Sequence, residues 1–136
     1  MNTHATTRIT LANSESIAPP AGHYSHVCSA GGMSFISGML PIAKDGTPMS
    51  GAPFDLQASQ VLSNLQACLD QVGLTKEDLV QVRVYVTDIT KWPEFNRLYA
   101  DWIGTHRPAR AVAGVAELHF GLVVEVEAVA LSRRAA

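Results

Sequence analysis

Residues 122–131, reading LVVEVEAVAL, set the hardest condition on how this chain folds. Alternate side chains of an extended strand point to opposite faces. Val124, Val126, Ala128 and Ala130 therefore share one face, and Val123, Val129 and Leu131 share the other with Glu125 and Glu127. A strand apolar on both sides needs cover on both sides.

The chain supplies few elements to provide that cover. Apolar residues at three- and four-residue intervals, Phe54, Ala58, Val61, Leu62, Leu65, Leu69 and Val72, predict one amphipathic helix, with Pro53 suited to its first turn and Gly73 just past its end. A second helix opens at Pro93, buries Phe95, Leu98, Tyr99, Trp102 and Ile103, and stops at Gly104. Between them Val80, Val82, Val84 and Val86 alternate with polar residues, the signature of a strand with one apolar face. Two short β-like runs, 25–30 and 33–37, flank Gly31-Gly32 as a hairpin, and residues 110–116 and 122–131 read as a second, terminal hairpin. Residues 41–53, with three prolines and two glycines, form a long connection, and residues 1–22 form an arm or loop with room for one short strand. The expected fold is α+β: a single domain over residues 1–136, with 1–17 as an N-terminal arm, built as a ββαβαββ sandwich with both helices on one face of a mixed sheet. Two helices cannot cover both faces, so the other face meets solvent or, most simply, another copy of the chain.

Composition narrows the function. At 136 residues with 47% hydrophobic and 16% charged residues, the chain can bury a core and is neither disordered nor coiled-coil. Ten basic against twelve acidic residues, net −2, give no electrostatic footprint for nucleic acid. No run of eighteen apolar residues indicates a membrane span, and the polar start does not read as a secretory signal, so a cytoplasmic location is expected. Cys28 and Cys68, forty residues apart, match no zinc or redox spacing and are expected as reduced thiols.

Glu125 and Glu127 point to the same side of their strand, among apolar neighbours. They are either a charged face satisfied by Arg83 or Arg133, or they include a buried carboxylate that positions water or shuttles a proton. Arg110 opens the preceding strand and either closes a structural salt bridge or grips a substrate carboxylate through two parallel hydrogen bonds. It approaches Glu125 within one chain only if the two strands pair with their ends aligned; otherwise the two meet across a subunit boundary. His23 and His26 flank Tyr24, but with no carboxylate or cysteine at ligand spacing no metal site is expected. The aromatic stripe of Phe95, Tyr99 and Trp102 is assigned to the core.

Ser37-Gly38 after an apolar strand, Phe95-Asn96 with Tyr99, Pro108-Ala109-Arg110 and the run Val124-Glu125-Val126-Glu127-Ala128 together resemble the RidA/YjgF family, over residues 18–131. The resemblance implies a homotrimer of a chorismate-mutase-like fold with clefts between subunits, and hydrolysis of reactive 2-imino or enamine acids to 2-oxo acids and ammonia, with no metal or cofactor. It places the carboxylate-binding arginine on Arg110, the water-positioning glutamate on Glu125 and the active-site tyrosine on Tyr24. Ser37, Gly38 and Asn96 fall on substrate-binding positions. Three positions depart from the family pattern: His23 and His119 stand where prolines are usual and Val112 where a cysteine is usual, so these three line the expected pocket and bear on substrate choice. An endoribonuclease activity attached to some relatives ranks last for this nearly charge-balanced chain.

Overall fold

Residues 8–132 are described by a computed structural model of the chain. Six strands and two helices follow one another as β1 (Thr10–Ala12), β2 (Val27–Ala30), β3 (Met33–Met39), α1 (Phe54–Gln71), β4 (Leu79–Val86), α2 (Trp92–Ile103), β5 (Ala109–Gly114) and β6 (Val124–Leu131). The arm thus contributes one strand of its own, paired antiparallel with β2. Between β2 and β3 the chain reverses on Gly31 and Gly32 alone, with φ of 59° and 78°. Both residues need positive φ in this two-residue turn, which glycine supplies without a Cβ clash.

The strand order is β1-β2-β3-β6-β4-β5, with β4 and β5 parallel and every other pair antiparallel. The expected terminal hairpin does not form. The β4–α2–β5 crossover lays β5 along one edge of β4, and β6 takes the other, slotting between β3 and β4. That central position suits the most apolar strand, which is hydrogen-bonded on both edges. A second departure falls on Val80, which is exposed rather than aligned with its fellow valines. The register slips between Leu79 and Gln81 opposite Ala130 and Val129, so the extra residue bulges out and Leu79 takes the inward place.

Both helices cover one face. Along α1, Ala58, Val61, Leu65 and Leu69 meet Val82, Val84, Val124, Val126 and Ala128, with Phe95 and Tyr99 of α2 completing the core. Pro53 caps α1 rather than sitting inside it. Buried Gln57 bridges the layers: its Nε2 donates to the Ala52 carbonyl and its Oε1 accepts from Val123 N–H, each at 3.0 Å. The opposite face of the sheet is bare in the single chain. Leu11, Phe35 and Leu131 stand exposed on it, and Cys28 and Val129 are half-buried beside them. Among the described residues no helix is long and apolar enough to cross a membrane.

Candidate active site

The two glutamates of β6 lie on the bare face and have different environments. Glu127 Oε1 accepts from Arg83 Nη1 at 2.8 Å, and Arg83 also donates to Gln81 Oε1 at 2.9 Å, so Glu127 is a satisfied surface charge. Arg133, the other suggested partner, lies outside the described residues. Glu125, opposite Tyr85, makes no ion pair among the described residues. Burial pushes its carboxyl above the ordinary range; the nearby His119 pulls it back and Glu127 pushes it further up.

A β-bulge explains how Glu125 reaches its place. The β3–β6 register shifts between Ile36 and Met39, so Ser37 and Gly38 together span the gap. The Glu125 carboxylate lies against Gly38, and a Cβ built on that glycine would overlap Glu125 Oε2. Ser37 is held too: its hydroxyl donates to the Ser25 carbonyl at 2.6 Å and its N–H to the His26 carbonyl at 3.0 Å. Only the lone pairs of that hydroxyl remain for a ligand.

The loop before β6 closes around the same carboxylate. Residues 117–121 and Glu125 line a hollow of about 550 Å³, with His119 exposed on its wall. Phe120 takes the left-handed conformation, φ 61° and ψ 21°, the one non-glycine to do so among the described residues. That conformation costs a residue with a Cβ about 1–2 kcal/mol. Ser50 Oγ donates to the Phe120 carbonyl at 2.7 Å and helps hold the turn. Tyr24, 48% exposed, and Gly38 line an adjoining cavity that Phe120 also borders. His23, next to Tyr24, is exposed and lines neither hollow.

Arg110 is built from the helix side. On β5 it pairs with Val82 of β4, and Val82 with Ala128 of β6, all pointing toward α1 and α2. Its Nη1 donates to Asn96 Oδ1 at 2.9 Å, and its guanidinium stacks 4.9 Å from the Tyr99 ring centroid and 5.9 Å from that of Trp92. Such a cage holds the planar fork in one orientation and leaves most of its N–H donors for a ligand. Val112 packs on the core two residues along the same face. Tyr99 is only 6% exposed, and its hydroxyl has no partner among the described residues. A hollow of about 400 Å³ lined by Asn96, Tyr99, His106 and Arg110 opens at this edge of the sheet.

The candidate residues therefore fall into two half-sites. Ser37, Gly38, His119 and Glu125 gather at one end of the bare face, with Tyr24 on the adjoining cavity, while Asn96, Arg110 and Val112 belong to the helix side of the edge strand β5. Strand β4 separates them, and within one chain Arg110 and Glu125 point to opposite faces of the sheet. Sequence reasoning overlooked Trp92 and Phe120 and assigned Tyr99 to the core alone. The Tyr99 signal was present, one turn beyond Asn96 on the same helix face; nothing local marks Phe120 as left-handed except the glycine after it.

Similar proteins place this arrangement. The family model described as Endoribonuclease L-PSP matches residues 15–132. Protein HMF1 of Saccharomyces cerevisiae is 34% identical over 93% of this chain and 98% of its own length. Among solved structures, the YjgF gene product of E. coli superimposes with a TM-score of 0.83 at 29% identity, covering 91% of this chain and 99% of that one. E. coli TdcF with bound serine gives 0.84 at 26% identity, covering 91% and 99%. With the matching fold, the bulged Ser37-Gly38 and the paired glutamates of β6, the chain belongs to the RidA/YjgF family, that of endoribonuclease L-PSP.

Proposed function

We propose that this protein hydrolyses reactive 2-imino or enamine acids to 2-oxo acids and ammonia, in clefts where Arg110 of one subunit faces Glu125 of the next in a homotrimer. Glu125 is the observation that carries this reading: a half-buried carboxyl with no ion pair among the described residues, raised above its usual range, seated against a glycine whose Cβ would displace it. A base poised closer to neutral pH moves protons in both directions. The opposed half-sites favour a shared cleft, because neither half alone offers both a carboxylate grip and a proton acceptor. Serine, the ligand bound in TdcF, carries the kind of carboxylate Arg110 would hold.

In this reading Arg110 holds the substrate carboxylate through two parallel hydrogen bonds. Glu125 takes a proton from water as its oxygen bonds to the imine carbon and the C=N π pair moves onto nitrogen. It returns that proton to nitrogen. It then takes the proton of the new hydroxyl and passes it to the amine as the C–N bond breaks, leaving 2-oxo acid and ammonia with Glu125 again ionised. Tyr24 and backbone N–H groups orient the substrate.

The test replaces Arg110 by Ala and Glu125 by Gln and follows ammonia release from 2-iminobutyrate. Losses of about 10²–10⁴-fold are expected; unchanged rates remove the assigned roles. If wild type binds 2-oxobutyrate through Arg110 without releasing ammonia, the protein is a carboxylate-binding module.

A further inference from the structure

The cavity next to Glu125 has a composition that the hydrolysis itself does not require. It measures about 340 Å³ and is walled by Pro19, Pro20, Tyr24, Met39, Leu40 and Ile42, with Gly38 and Phe120 at the end nearest Glu125. Its size lies at the lower end of small-molecule pockets, whose walls are mostly apolar. Two polar side chains on its wall are already engaged. Asn64 Nδ2 donates to the carbonyls of Leu40 and Ile42, and its Oδ1 accepts from Gln60. His26 Nδ1 accepts from Ser14 N–H, and the ring makes a backbone hydrogen bond with Ala18. Apart from Tyr24 and Asp45, a guest in this cavity therefore meets apolar surface and internally satisfied groups.

Phe120 joins the two spaces, since it lines both this cavity and the Glu125 hollow, and Gly38 touches both the cavity and Glu125 itself. The strained, Ser50-braced turn at Phe120 sets a large ring at that junction, beside His119. Asp45 stands exposed on the cavity wall, its carboxyl held below the usual range chiefly by the Thr47 backbone N–H. It is therefore ionised and disfavours an anionic guest.

Resting on the imine-hydrolase reading, we infer that this cavity receives the substrate's own side chain, and that the preferred substrates are 2-imino acids with branched or aromatic apolar side chains, with Phe120 as a specificity-determining residue. A short side chain leaves the cavity unfilled; a dicarboxylic one brings its second charge toward Asp45.

Binding and turnover are measured separately. Isothermal titration compares the product 2-oxo acids: 4-methyl-2-oxopentanoate and phenylpyruvate are expected to bind at least about tenfold more tightly than 2-oxobutyrate, and 2-oxoglutarate more weakly than all three. The matching imines, generated in place by an amino acid oxidase, are expected to follow the same order in kcat/KM. Ala21→Trp, at an exposed wall position, and Phe120→Gly, which relieves the positive φ, should each collapse the long-to-short preference about tenfold. Thermal melts confirm that each variant is folded, and either suffices if the other is not. Size-graded binding without ammonia release upholds the cavity and overturns the hydrolase reading. Ammonia release with no preference for the longer acids, or a preference that survives both substitutions, overturns the cavity assignment and leaves the hydrolase reading standing.

Discussion

Gly38 and Glu125 lie against each other in the candidate site, and their chemistry is set by what each lacks. Gly38 lacks a Cβ, so Gly38→Ala drives the Glu125 carboxylate from its place. We expect turnover to fall about 10²-fold, as displacements of about 1 Å do, with far-ultraviolet circular dichroism unchanged. Glu125 lacks an ion-pair partner among the described residues, and burial raises its carboxyl. Because the folded state then holds its proton more tightly than the unfolded chain, the contribution of this group to stability is full below the ordinary glutamate range and is lost as pH rises through the raised folded value. Activity that needs the ionised form moves the opposite way. The acidic limb of kcat/KM against pH should therefore lie above the ordinary glutamate range and vanish in Glu125→Gln, which should also unfold at higher denaturant at pH 7. The spacing of Glu125 and Glu127 exposed this pair in the sequence, because period two is rigid. Which of the two is free depends on Arg83 reaching across from β4, a long-range contact that spacing does not encode.

At the level of elements, His26 adds to the β1–β2 pairing in fastening the arm. His26 begins the turn into β2, where its N–H donates to Asn13 Oδ1 at 2.9 Å and its Nδ1 accepts from Ser14 N–H at 3.0 Å. Burial lowers its pKa below the ordinary 6.5, and the Ala18 backbone hydrogen bond opposes that shift only in part. A depressed histidine stabilises the fold above its unfolded value, and that stability is lost as pH falls through the folded one. Urea unfolding should thus show wild type losing stability below pH 6.5 more steeply than His26→Leu. At pH 8 the same variant should cost about 1–3 kcal/mol through the unpaired Ser14 N–H. Helices and inner strands were legible because apolar period follows directly from geometry: Val82, Val84 and Val86, and the Ala58 to Leu69 stripe, are buried as read. The bulge at Val80 and the placement of β6 between β3 and β4 were not, since pairing partners depend on the crossover through α2 rather than on any local pattern.

For the whole molecule the governing feature is the bare sheet face, with Phe35 at 49% and Leu131 at 53% exposure. Its both-sided apolar character was readable in residues 122–131; the identity of the cover comes from outside any single sequence. Because Arg110 and Glu125 look out from opposite faces, no mutation within one chain can inactivate both halves of the same proposed cleft. Two dead proteins should then rescue each other. If Arg110→Ala and Glu125→Gln chains are denatured together and refolded as a mixture, random assembly pairs an intact arginine with an intact glutamate in about a quarter of the clefts. Ammonia release should return toward that fraction, whereas separately refolded samples mixed afterwards stay silent until their subunits exchange.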